Sequence, residues 1–206
     1  MIDTRRRILD TAERLFGEQG YSTTSLRQII TTAEVNVAAV HYHFGSKEDL
    51  LDAIVLRKAG PVTAARLDLL DRAEAAAAPD PPCVDLILES FLLPTADVAQ
   101  NNPAFALLMG RMLTEGMMPR IVEKHFQETA KRYVEAFARA LPNLPREELL
   151  WRFHFMIGAM AHTICGSPTL RQIDSNCDFP TRMRRLVTFL AAAFRAPAEN
   201  QPCDVR

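Results

Sequence analysis

The chain has 206 residues, 48% of them hydrophobic, and a formal net charge of −1, enough for one sizeable core or two modest ones. Charge interrupts every apolar run before the ~18 residues of a membrane span, and no apolar signal core follows the early arginines. Cys83, Cys165, Cys177 and Cys203 lack CxxC or metal-ligand spacing, which predicts reduced thiols in a cytoplasmic protein rather than a disulfide framework.

Residues 1–3 read as a loose arm. Thr4 to Glu18 reads as a first helix with Ile8, Ala12, Leu15 and Phe16 on its buried stripe, and Gly20 is its stop signal. Tyr21 is expected to pack beneath the next element. Thr24 and Ser25 cap a second helix, whose opening amides, with those hydroxyls and Arg27, would make a phosphate clamp. Leu26, Ile29, Ile30 and Ala33 give that helix one buried face. Val35 plugs the following turn, and Asn36 caps the next helix.

That third helix, Val37 to Phe44, buries Val40 and Phe44 and turns Ala38, Ala39, His41, Tyr42 and His43 outward. Small residues near its tip would let it enter a major groove about 12 Å wide. The pattern alone fits a helix-turn-helix reader or an ordinary helical hairpin. Ser46 then caps a fourth helix, and Lys47 stands at its positive end, where it suits a phosphate. The candidate DNA contacts are therefore Thr24, Ser25, Arg27, Asn36, Ala38, Ala39, His41, Tyr42, His43 and Lys47. Acidic and basic residues nearly balance over the first fifty positions. The predicted DNA face is thus only locally positive, where Arg5 to Arg7, Arg27 and Lys47 cluster, and gains affinity from dimerisation.

The run RRRILDTAERLFGEQGYSTTSLRQIITTAEVNVAAVHYHFGSKEDLL, within Thr4 to Leu51, resembles the DNA-binding domain of the TetR family of transcriptional regulators. The matching pieces are LFGEQGYSTTSLRQI, the turn at Ala33-Glu34-Val35-Asn36, and HYHFGSKEDLL. The resemblance favours the helix-turn-helix reading over the hairpin. Glu34 departs from the family, which prefers glycine there. A positive φ at Glu34 would cost roughly 1 kcal/mol; a negative φ would mark a different turn.

The fourth helix should run from about Lys47 to Ala77 as a connector kinked at Gly60-Pro61. Ala75 to Pro82 is the clearest loop signal. Beyond it, helices are predicted over Val84 to Leu93, ended or bent by Pro94, over Ala104 to Thr114 after Pro103, and over Arg120 to Leu141 after Pro119. Arg146 to Cys165 is nearly apolar all round and must be covered on more than one side. Arg171 to Pro180 reads as a polar loop, Thr181 to Phe194 as the last helix, and 197–206 as a disordered tail. The expected fold is all-α, with about nine helices: a three-helix helix-turn-helix domain over 1–50, then a ligand-sensing and dimerisation domain over 51–196. The last two helices suggest a symmetric four-helix interface, as the resemblance also implies; alternatively they finish the monomer core.

No phosphate-binding glycine loop, HExxH or nucleophile motif is present, so no enzyme activity, cofactor or metal is predicted. His154 and His162, on one apolar helix without nearby carboxylates, read as core or interface residues, or as partners of a ligand head group. Phe105, Met109, Met112, Phe137, Phe155 and Met160 could line a pocket for an apolar effector, or could be filled core. Residues 149–166 resemble a branch of the family that includes fatty-acid-responsive repressors, which implies a fatty acid or acyl derivative as effector. The expected function is a dimeric repressor that binds a palindromic double-stranded DNA operator and is released by a small apolar effector. The alternative is an all-helical small-molecule-binding protein or adaptor without operator binding.

Overall fold

The computed structural model of the chain describes residues 3–165 and 178–198. Among these residues every regular element is helical: α1 (Thr4–Gln19), α2 (Leu26–Ala33), α3 (Val37–Phe44), α4 (Lys47–Ala77), α5 (Val84–Asn101), α6 (Pro103–Thr114), α7 (Met118–Ile121) leading into a π-helical turn (Val122–Phe126), α8 (Gln127–Ala140), α9 (Arg146–Cys165) and α10 (Phe179–Arg195). The polar stretch and the tail expected over 171–180 and 197–206 lie mostly outside the described residues, and so do Cys177 and Cys203.

Each of the first four helices starts on a side-chain cap: Ser25, Asn36 and Ser46 as predicted, and Asp3, which was expected to lie in a loose arm. Asp3, Ser25, Asn36 and Ser46 accept from backbone amides of α1, α2, α3 and α4 respectively, satisfying donors that a helix start otherwise leaves open. α2 ends in a Schellman motif. The Val35 amide donates to the Ile30 carbonyl (3.2 Å) and the Glu34 amide to the Thr31 carbonyl (3.2 Å), with Glu34 at φ 51°, ψ 47°. The turn is therefore the usual tight one, built on a residue poorly suited to it. Glu34→Gly is expected to raise stability by about 1 kcal/mol, read from the denaturant midpoint; an unchanged or lower midpoint would mean the left-handed residue is not strained.

Two cores organise the chain. The first gathers Ile8, Phe16, Ile29, Val40 and Leu50 with Ile54 and Val55 of α4 and with Phe105, Leu108 and Met112 of α6. Packing thus runs across residue 50, and α6 serves as a wall of the reading head. The second gathers α5, α8, α9 and α10 around Leu70, Phe91, Tyr133, Phe137 and Phe194, with Phe137 stacked on Phe194 at 4.4 Å between centroids. Arg152 of α9 locks α10 in place by donating to the carbonyls of Ala193, Phe194 and Ala196 (2.9, 2.9 and 2.7 Å).

α4 runs as one 31-residue helix through Pro61, over the span expected of it. Three elements differ from expectation. α5 continues through Pro94 to Asn101; packing on α4 and α10 holds it despite the lost backbone donor. The helix expected over Arg120 to Leu141 is broken by the π-helical turn, and the last helix begins at Phe179 on an Asp178 cap rather than at Thr181.

Candidate nucleic-acid interface and effector region

α3 stands out of the first core with Val40 and Phe44 beneath it. Ala38, His41 and Tyr42 are exposed, Tyr42 at 86%, and Ala39 and His43 are half-buried. Val37 is also exposed at 54%. It is not among the contacts expected from the sequence. Its place directly after the Asn36 cap was the available signal, and its methyls suit contact with a thymine methyl. His41 Nδ1 lies 3.2 Å from the Gly45 carbonyl. That contact needs the hydrogen on Nδ1, which leaves Nε2 of the neutral ring free to accept outward.

Ser25 and Arg27 are exposed at the start of α2, as the phosphate-clamp reading requires. Thr24 is a correction. It is 1% exposed, and its hydroxyl donates to the Gly20 carbonyl at 2.8 Å, so it braces the turn and presents nothing to DNA. Asn36 spends its side-chain oxygen on the Ala38 amide at 2.9 Å. Lys47 is half-buried, its ammonium 4.2 Å from the centre of the Tyr21 ring. Burial lowers its pKa, with Glu115 opposing. Arg7 donates to the Glu34 carbonyl at 2.7 Å and Arg5 lies over the Phe44 ring, so the arginine run gathers at the helix-turn-helix unit. Between Ser25 and His43 the only acidic residue is Glu34.

The head is fastened to the rest of the chain at three points. Glu13, almost fully buried in α1, pairs with Arg57 of α4 at 2.6 Å, with Lys58 at 3.8 Å; Arg57 also holds Asp10 at 2.7 Å. Arg111 of α6 donates to the carbonyls of Gly17 and Glu18 at the end of α1 (2.8 and 2.6 Å), and Glu115 accepts from Ser22. Asp52 of α4 takes Arg120, Lys124 and His125 at 3.0, 2.5 and 3.1 Å. The π-helical turn is what brings both Lys124 and His125 onto that one carboxylate. Burial raises the Asp52 pKa, but the hydrogen bonds from Lys124 and His125 and the charge of Arg120 outweigh it and hold the carboxyl below its ordinary value.

The six residues expected to line an effector pocket do not come together. Phe105, Met109 and Met112 face the first core because α6 packs on α1, whereas Phe137 belongs to the second. Phe155 is 61% exposed, stacked on Trp151 at 5.7 Å. Only Met160 approaches a polar group of the interior, lying 3.6 Å from Arg66. An open groove of about 620 Å³ lies instead between α5 and α10, walled by Leu93, Ala96, Phe179, Met183 and Val187. His154 and His162 are exposed on α9. Among the described residues no cluster of histidine, cysteine and carboxylate could hold a metal, and no helix is long and apolar enough to cross a membrane.

Comparison with known proteins agrees with this layout. Residues 8–54 match the family model for bacterial regulatory proteins of the tetR family, and residues 89–193 match the tetracyclin repressor-like C-terminal domain. The HTH-type transcriptional regulator AcrR of Shigella flexneri is 48% identical over 52 residues, 25% of this chain and 24% of its own. The regulator BetI of Rhizobium meliloti is 37% identical over 87 residues, 42% and 41% of the two chains. The match thus spans between a quarter and two fifths of these relatives. A putative TetR-family regulator from Syntrophomonas wolfei superposes over 96% of this chain and 98% of its own with a TM-score of 0.64 at 14% identity. The fatty acid degradation regulator FadR of Bacillus halodurans does so over 96% and 99% with 0.59 at 12%. At these identities the two structures share the fold.

Proposed function

Because this chain belongs to the TetR family of bacterial transcriptional regulators, we propose that it is a cytoplasmic repressor that binds a palindromic operator as a homodimer and is released by a small apolar effector. Family membership makes it a DNA-binding, ligand-responsive regulator and not an enzyme. The observation that carries the finer reading is the outward face of α3. Val37, Ala38, His41 and Tyr42 are all exposed there, on a helix held up by Val40 and Phe44. In this reading Ala39 and His43 flank that face, while Ser25, Arg27 and Lys47 meet phosphates on either side.

Pairing is supported by apolar stripes on the last two helices. Trp151 and Phe155, one turn apart on α9, are more than half exposed, and so is Phe189 on α10. A Cβ added at Gly158, on the same α9 stripe, would meet nothing within 4 Å. Such a surface on a monomer marks an interaction site, and a two-fold pair of α9–α10 hairpins would bury it. A dimer of this kind sets its α3 helices on successive major grooves about 34–36 Å apart.

An effector held in the second core shifts the spacing of the heads only if it binds the two arrangements with different affinity. Met156, Met160 and Met183 lie in or against that core, and methionines adapt to varied apolar shapes.

The test is a mobility shift with DNA from beside the protein's own gene. Tyr42→Ala should weaken the shifted complex about tenfold, the size of one lost groove contact, while sedimentation still shows a dimer. Phe155→Asp should yield monomers by sedimentation and lose most operator affinity with its helix content intact. A Tyr42→Ala protein that binds as the unaltered one does removes α3 from the interface, and a Phe155→Asp protein that stays dimeric removes α9 from the pairing surface.

A further inference from the structure

Arg66 is the one arginine of α4 that points into the second core. It is 6% exposed. Its Nε donates to the Phe91 carbonyl at 2.8 Å, and its Nη2 donates to Thr95 Oγ1 at 2.6 Å and meets Met160 Sδ at 3.6 Å. The guanidinium lies 3.8 Å from the centre of the Phe91 ring. All of these partners are neutral. Among the described residues Arg66 makes no ion pair, and its Nη1 donates to none of them. Among the described residues the other buried ionic side chains each meet an opposite charge: Glu13 meets Arg57, Asp52 meets Arg120 and Lys124, and Arg152 meets Glu148 at 2.8 Å.

A guanidinium withdrawn from water without a counter-charge is costly, and buried charges are ordinarily paired. Burial draws the Arg66 pKa down to about 10, so the group is still a cation at neutral pH. The groups around it are ones a ligand can displace. Met160 is unbranched and rotates readily, its sulfur is a weak acceptor, and Thr95 and Met160 are only half-buried. Tyr133 fixes the helix backbone at this point by donating to the Arg66 carbonyl at 2.8 Å. The receiving cation is therefore held in place while the side chains over it are free to move.

We infer that Arg66 is the anion receptor of the effector site, and that the effector is a small carboxylate with an apolar body, its carboxylate taking the place of Thr95 Oγ1 and Met160 Sδ on the guanidinium fork. Carboxylates match that fork bidentately. The apolar body then lies among Phe91, Phe153 and Met160. The inference rests on the effector-responsive reading above and adds the effector's charge to it.

The experiment is calorimetric titration of the full-length protein without DNA, which leaves operator binding as a separate question. The probes are decanoate and benzoate, each set against its neutral counterpart, 1-decanol and benzyl alcohol. In the unaltered protein at least one carboxylate should bind at least tenfold tighter than its alcohol. Arg66→Gln should lose that preference while keeping the affinity for the alcohol, and Arg66→Lys should keep part of it. With no ligand, Arg66→Gln should melt within a few degrees of the unaltered protein or above it, because it removes an uncompensated buried cation. Equal affinity for acid and alcohol in the unaltered protein, or no binding of either carboxylate, overturns the inference; neither result depends on how a variant folds. A preference that survives in Arg66→Gln overturns it too, and a large fall in melting temperature reassigns Arg66 as a structural brace.

Discussion

Arg57→Ala is expected to lower stability by about 3 kcal/mol, read as a fall in the urea midpoint. The loss comes from what the variant leaves behind. Glu13 is almost fully buried, and Arg57 is its nearest cation at 2.6 Å. Removing one partner of a buried pair strands the other charge, which costs roughly 3–5 kcal/mol. Lys58, 3.8 Å from Glu13, softens the loss toward the lower end. Glu13→Gln in the same chain removes the stranded charge, so the double variant should recover much of the stability lost by Arg57→Ala alone. If the two single losses simply add, the pair is not coupled and α1 is held to α4 by packing alone.

Gly17→Ala should be the second large loss, about 2 kcal/mol. On a free helix surface alanine would stabilise by about 1 kcal/mol over glycine. Here a Cβ would stand 2.7 Å from the Ala104 carbonyl oxygen, with the Leu107 Cβ and the Leu108 nitrogen at 3.5 Å. The first of these is backbone and cannot rotate away. α6 must move off α1, at the cost typical of an overfilled interface, and Arg111 must loosen its grip on the Gly17 and Glu18 carbonyls. The sign decides the matter. A more stable Gly17→Ala protein would mean that α1 and α6 do not approach so closely in solution.

The reading head was largely plain from its residues, because its signals are local. Caps at Ser25, Asn36 and Ser46, and an apolar face at Ile29 and Val40, are read within one or two helical turns. The buried place of Thr24 is not legible, because a hydroxyl beside a helix start looks the same in sequence whether it faces solvent or the preceding turn. Pro94 reads as an end or a bend because the local rule says so. What keeps α5 continuous is tertiary, its packing on α4 and α10. The π-helical turn had no local signal either, since its reason is Asp52, some seventy residues earlier. The pocket residues failed for a similar cause. Periodicity finds the apolar face of α6 at Phe105, Met109 and Met112 but not its partner, and the partner is α1.

The proline inside α4 gains meaning from its neighbours. Without an N–H, Pro61 leaves the Arg57 carbonyl with no intrahelical donor, and the adjoining Gly60 has open space where a side chain would be. Arg57 grips the head on one side of this point, and Arg66 is rooted among α5 and α9 on the other. The longest rod in the molecule thus has its soft joint between its two fixed ends. In the proposed switch a small displacement at Arg66 would be taken up at that joint and passed along α4 to the Arg57 end, which carries α1.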